Sequence, residues 1–126
     1  FKVAASALLP GDVNFSGFLI ARSGHARQRT LVVTRAIVPE LTRSSESVRL
    51  EPNDENRYDS VTVLDLRFGR PFELGAGIRF EPFLDVYNLF NANTVLGEVT
   101  TLGPSLGRVS TTINPRLIRF GAKLNF

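Results

Sequence analysis

From Leu117 to Phe126 the chain alternates without a break. One parity holds Ile118, Phe120, Ala122, Leu124 and Phe126; the other holds Leu117, Arg119, Gly121, Lys123 and Asn125. A period of two places successive side chains on opposite faces of a pleated strand, so this segment reads as a strand with one apolar and one polar face. About ten residues is also the length that a tilted strand needs to cross a bilayer. A chain organised this way needs something apolar against half of each strand, and that requirement constrains the fold more than any other feature.

The same pattern recurs upstream. Residues 1–9 carry Phe1, Val3, Ala5, Ala7 and Leu9 on one parity, and Pro10-Gly11-Asp12 reads as a tight turn. Residues 13–22 follow, with Val13, Phe15, Leu19 and Ala21 on one face; Phe18 and Ile20 interrupt the polarity of the other. Alternation fades between residues 23 and 60, where turn formers and charges prevail around a short apolar run, Leu31-Val32-Val33, a candidate short strand. Residues 61–70 form the third long strand, with Leu64, Leu66 and Phe68 opposed to Asp65, Arg67 and Gly69. Pro71–Gly75 reads as the next turn. Residues 76–90 form the fourth strand, with Ile78, Phe80, Pro82, Leu84 and Val86 on the apolar parity, and residues 91–114 form a second long connection before the last strand, 115–126. The expected fold class is all-β, an antiparallel meander of about five long strands.

Connections along this chain run short, long, short, long. In an antiparallel meander that puts both short turns at one end of the sheet and both long connections at the other, as in outer-membrane barrels with short periplasmic turns and long external loops. Five strands fall short of the roughly eight that close a small barrel. Phe1 stands where an initiator methionine would, and no signal-peptide pattern is present. The expectation is therefore an incomplete piece of a transmembrane β-barrel, 1–126 being strands from the C-terminal part of a longer precursor.

Composition excludes several classes. The absence of cysteine removes disulfides, thiol catalysis and thiolate-ligated metals. The net charge of +3 comes from thirteen arginines and two lysines against twelve acidic residues, scattered rather than gathered into the basic, aromatic-studded stripe of a nucleic-acid site. No nucleic-acid partner is expected.

The segment Leu64–Phe126 resembles the C-terminal end of TonB-dependent outer-membrane receptors. The matching residues are Leu64-Asp65-Leu66-Arg67, then Pro82-Phe83-Leu84-Asp85-Val86-Tyr87-Asn88-Leu89-Phe90-Asn91, and finally Arg119-Phe120-Gly121 with a terminal Phe126. The run Gly103-Pro104-Ser105-Leu106-Gly107-Arg108 looks like the subgroup whose precursors carry a carboxypeptidase-regulatory-like domain at the N-terminus. The resemblance implies energised uptake of a siderophore, glycan, peptide or similar ligand through a barrel with a plug in its lumen. The implied partners are outer-membrane lipid, the rest of the barrel and its plug, the barrel-assembly machinery that reads the last strand, and the TonB complex acting through a plug that this chain lacks. Phe120, Leu124 and Phe126 then serve barrel closure and assembly, and Asn88, Leu89, Phe90 and Asn91 form the family motif. No substrate-selecting residue carries over, because selection lies on the plug and on variable loops.

No catalytic, cofactor-binding or metal-ligating residue is expected. His25 is a lone histidine without a nearby acid in sequence, and reads as a solvated loop residue. Asp65, Glu81 and Asp85 share the polar parity with Arg67 and Arg79, so ion pairing across strands accounts for them without acid–base chemistry. Asp65, Arg67, Arg79 and Glu81 are the expected lumen charge pairs, in a register that sets either Arg67 opposite Glu81 or Asp65 opposite Arg79. Glu51, Asp54, Glu55 and Asp59 lack the spacing of a calcium loop. Phe83 and Leu89 occupy the polar parity of the fourth strand and call for a packing partner there or a bulge. The competing reading is a soluble five-stranded β-barrel binding an oligonucleotide or glycan, or an outer-membrane barrel without transport coupling.

Overall fold

The computed structural model describes residues 1–52 and 55–126, and contains strands but no helix among them. The strands are β1 (Lys2–Leu9), β2 (Val13–Arg22), β3 (Ala26–Arg27), β4 (Thr30–Thr34), β5 (Ser45–Arg49) and β6 (Asn56–Arg57). They continue as β7 (Val61–Gly69), β8 (Phe72–Gly75), β9 (Ile78–Tyr87), β10 (Val95–Glu98), β11 (Val109–Thr112) and β12 (Leu117–Asn125). Two compact units result. One comprises residues 1–22, 61–93 and 114–126; the other comprises 23–60 and 94–113.

The first unit is an all-antiparallel sheet in the order β1-β2-β7-β9-β12, with β8 also paired to β9. Its long strands follow one another as a meander, as the alternation requires, and the sheet is open: β1 and β12 are its two edges. The turn at Pro10-Gly11-Asp12 forms as expected, with Gly11 and Asp12 both at positive φ, 83° and 59°.

The second turn lies elsewhere. Residues 71–75 do not turn. Pro71 interrupts hydrogen bonding because it has no N–H to donate, yet Phe72 to Gly75 continue as β8 along β9, pairing Phe72 with Phe80 and Glu73 with Arg79. The reversal falls at Ala76-Gly77, a two-residue hairpin between Gly75 and Ile78 in which both loop residues have positive φ, 53° and 78°, the condition of a type I′ turn. The fourth strand accordingly starts at Ile78, and it ends at Tyr87, short of the expected residue 90.

Moving the turn moves the register. Leu66 pairs with Val86, Arg67 with Asp85 and Phe68 with Leu84. Neither Arg67–Glu81 nor Asp65–Arg79 is formed, so the expected pairs are corrected. Like charges are still kept apart: the hairpin sets Arg67 against Asp85 and Arg79 against Glu73, where the expected turn had offered other opposite-charge solutions.

Directly paired residues share a face, so the register lays out both surfaces of the sheet. One cross-strand row runs Ala7, Phe15, Phe68, Leu84, Phe120; the next runs Ala5, Gly17, Leu66, Val86, Ile118. Leu124 faces Phe80, and Phe80 faces Phe72. This is the apolar face, with Leu64, Leu66, Phe68, Ile78, Phe80, Leu84, Ile118, Phe120 and Leu124 on the expected parity. The opposite face carries Ser6, Ser16, Arg67, Asp85 and Arg119 in one row.

Few apolar side chains are fully covered in this fold. Among the described residues Val61 is the one buried apolar side chain, whereas Asp85 and Asn88 are buried at 2% and 4% exposure. Phe120 is 79% exposed, Leu124 56% and Ile118 53%.

The second unit is built from the two long connections. They are not structureless: β3 pairs with β6, β4 with β5, and β10 with β11, each as an antiparallel ladder. The apolar run Leu31-Val32-Val33 is the middle of β4.

Candidate functional site

The polar face of the first unit centres on Asp85. Arg67 on β7 donates to it from Nε to Oδ1 at 2.6 Å and from a terminal nitrogen to Oδ2 at 3.1 Å. Arg119 on β12 donates to Oδ2 through both Nε (2.9 Å) and a terminal nitrogen (2.5 Å), and the Tyr87 hydroxyl sits 3.3 Å from the same oxygen. Arg119 also donates to the Tyr87 hydroxyl at 2.8 Å. One carboxylate thus ties three adjacent strands, because the register places Arg67, Asp85 and Arg119 in one row. Charge-assisted, two-point contacts of this kind are the strongest hydrogen bonds available to side chains. The two guanidinium groups stay about half exposed (45% and 52%), which keeps them hydrated while the carboxylate is covered.

Phe83, the apolar intruder on this face, has a place. Its ring lies over Gly121 on the neighbouring strand, and the Arg67 guanidinium carbon sits 4.7 Å from the ring centre. Arg119 stands 5.9 Å away. Packing on Gly121, rather than a bulge, resolves that residue. Around this row a concavity of about 550 Å³ is lined by Ser6, Ser16, Phe18, Asp65, Arg67 and Arg119 among others.

Asp65, Arg79 and Glu81 are distributed differently from the expected pairing. Asp65 accepts the backbone N–H of Asn88 at 2.8 Å. Arg79 meets Glu73 at 3.7 Å, both well exposed. Glu81 stands opposite Lys123 in the register.

The Asn88–Asn91 motif sits where β9 ends. Asn88 adopts φ 50° and Asn91 φ 53°, a left-handed conformation that asparagine tolerates better than most residues. The Asn88 side chain donates to the carbonyls of Ala92 (2.9 Å) and Asn114 (2.8 Å) and accepts the Ala92 N–H (2.9 Å). Leu89 donates its N–H to the Leu64 carbonyl at 2.8 Å, and Asn91 Oδ1 accepts the Arg116 N–H at 3.0 Å. The sequence pointed to these residues as a motif without showing what they hold. Phe90 is 56% exposed, and Phe126 is fully exposed beyond the end of β12.

In the second unit, Arg27 bonds Glu98 at 2.9 Å and lies 5.9 Å from the Tyr58 ring centre, while His25 packs on Tyr58 at 4.6 Å. The Tyr58 hydroxyl accepts the Glu98 N–H. Gly24 is needed there: a Cβ would fall 1.7 Å from the Tyr58 carbonyl oxygen. Arg29 binds Glu51 through Nε at 2.5 Å and through its backbone N–H at 3.1 Å, and these bonds hold the Glu51 carboxyl below the usual carboxylate range. Asp54 lies outside the described residues. Among the described residues no group of three His, Asp or Glu is placed to hold a metal ion. No helix among them is long and apolar enough to cross a membrane, which leaves crossing by strands untouched.

Comparison with protein-family models, with curated proteins and with solved structures finds no match to this chain.

Proposed function

We propose that this chain is part of the wall of an outer-membrane β-barrel of the TonB-dependent receptor type, a transporter for energised uptake of a siderophore, glycan, peptide or similar ligand. One observation carries the membrane reading: an antiparallel sheet whose apolar rows are half-covered along β2, β7 and β9 and exposed along β12, while its buried side chains are chiefly polar. Monomeric soluble proteins rarely leave a contiguous apolar surface of this extent to water, and hydrocarbon is the solvent that removes the cost. Strands of nine or ten residues in β2, β7, β9 and β12 match the length of a tilted crossing. Both short turns lie at one end of the sheet and both long connections leave from the other, as barrel topology requires.

The receptor type rests on the resemblance of Leu64–Phe126 alone. Under it, Phe120 and Leu124 belong to the lipid-facing surface, and they act with Phe126 in barrel closure and assembly. The polar row of Arg67, Asp85 and Arg119 faces the lumen, where the plug and the passing ligand belong. The chain takes no catalytic role in this reading.

Cell fractionation tests it. The protein carrying this chain is expected in the outer-membrane fraction, soluble only in detergent, with an apparent size in electrophoresis that changes on boiling. Recovery in the soluble fraction without detergent would overturn the membrane reading. Uptake assays against a TonB-deficient strain then separate a transporter from a barrel without energy coupling.

A further inference from the structure

The pairing of β9 with β12 poses a physical problem that the pairing of β7–β8 with β9 does not. β7–β8 and β9 are joined by a two-residue hairpin with an irregularity between Glu73 and Gly75, and so short a connection leaves their register little freedom. β9 and β12 are joined through residues 88–116, a connection too long for its geometry to set any register. Nor does the apolar pattern do so. Ile118, Phe120, Ala122 and Leu124 recur every second residue, so sliding β12 by two residues leaves every apolar side chain on the same face. Parity is specified; register is not.

The residues that reach across the base of this connection are those of the asparagine motif. Asn88 at the end of β9 holds the carbonyl of Asn114, and Asn91 holds the N–H of Arg116, the residue immediately before β12. Asn88 is itself anchored to β7 through the Asp65 carboxylate, and Leu89 through the Leu64 carbonyl. Asn88 is 4% exposed, so its amide has no water to fall back on if Asn114 moves away. A shift of two residues would carry Asn114 and Arg116 roughly 6–7 Å along the strand, breaking both contacts at once.

We infer that the Asp65–Asn88–Asn91 cluster is a register clamp: it selects, among the pairings that the apolar pattern allows, the one in which Arg119 meets Asp85 and Phe120 faces Leu84. The inference concerns how the last strand is positioned and holds whatever surrounds the sheet. It assigns the motif a role independent of transport.

Engineered cysteine pairs in the protein carrying this chain, whose 126 residues here include no cysteine, read the register directly. Leu84→Cys with Phe120→Cys reports the observed pairing. Val86→Cys or Pro82→Cys with Phe120→Cys reports a slip of two residues in either direction, since diagonal partners lie about 7–8 Å apart and direct partners within disulfide reach. In the parent, the 84–120 disulfide is expected to dominate. Asn88→Gly keeps the left-handed backbone and deletes all three side-chain bonds; it is expected to raise a slipped disulfide at least tenfold relative to the 84–120 product. Asn91→Asp retains the acceptor for Arg116 and is expected to behave as the parent does. An unchanged 84–120 pattern in Asn88→Gly overturns the inference, and so does loss of every disulfide, which would make the cluster a requirement for pairing rather than for register. Slippage in Arg119→Gln but not in Asn88→Gly would assign the register to the ion pair instead.

Discussion

The ring of Phe83 on β9 covers the bare backbone of Gly121 on β12: a Cβ on Gly121 would fall 2.4 Å from the ring's Cζ and 2.8 Å from Cε2. The two residues are direct partners across the strands, so the glycine is the socket for an aromatic side chain that would otherwise stand in a row of charges. The guanidinium groups of Arg67 and Arg119 lie over the ring in cation–π contact, which favours its place there.

Gly121→Ala is accordingly expected to destabilise the sheet by about 1–3 kcal/mol, the usual cost of overpacking. Phe83→Leu in the same background should recover part of that loss, because a leucine lacks the ring carbons that clash. Unfolding of the two single variants and the double variant, analysed as a cycle, checks the coupling; strict additivity would show that the ring yields freely.

Asp85 and Arg79 should differ sharply in cost. Asp85→Asn leaves two guanidinium groups sharing a neutral, almost fully covered partner and is expected to cost about 1–3 kcal/mol. Arg79→Gln breaks only the exposed 3.7 Å contact to Glu73 and should cost at most about 1 kcal/mol. Denaturant midpoints for the two variants provide the comparison.

Ala76 occupies a left-handed position in the type I′ hairpin, where a Cβ costs about 1–2 kcal/mol. Ala76→Asn or Ala76→Gly should therefore stabilise the protein by up to about 1 kcal/mol without altering the sheet. An unchanged or lower midpoint would contradict the turn assignment.

Leu84→Arg places a cation in the middle of the apolar row Phe68, Leu84, Phe120. Under the membrane reading proposed above, a cation near the midplane should cost about 2–4 kcal/mol, well above Arg79→Gln on the other face. Folding yield in lipid vesicles reads the difference, and equal tolerance at both positions would contradict the lipid-facing assignment.

The Arg29–Glu51 tie predicts a pH dependence in the second unit. Bonding to Arg29 lowers the Glu51 pKa on folding, so the stabilisation is fully present above the ordinary carboxylate range, which centres near ~4.3, and is lost as pH falls through the lowered folded value. Carbon NMR of the Glu51 carboxyl should show protonation displaced to lower pH than for an exposed glutamate. Arg29→Gln should return it to the ordinary range.

Much of the architecture was legible in the alternation. The bounds of β1, β2, β7 and β12 lie within a residue or two of the expected spans, and the meander order follows from the run of short and long connections. Reading failed where punctuation was ambiguous. Pro71 and Gly75 looked like a turn, yet a proline can sit within a strand when its missing N–H is not needed, and β2 offers no residue opposite this stretch, its pairing with β7 ending at Asn14↔Gly69. The reversal went instead to Ala76-Gly77, where an alanine gave little sign of positive φ. Of the short ladders only β4 was announced, by the apolar run Leu31-Val32-Val33; the others were hidden for a related reason, since two to five residues are too few for a period to emerge.

Parity is legible in the residues alone, because a side chain's face depends only on whether its position is odd or even within the strand. It thereby determined which residues form the apolar face and which the polar one. Register emerges only in the folded sheet, and with it the sharing of Asp85 by Arg67 and Arg119, the seat of Phe83 on Gly121 and the hold of Asn88 on Asn114. A period of two is unchanged by a shift of two, so the alternation cannot choose among these pairings, and the choice falls to turn geometry and to contacts between residues far apart in the chain.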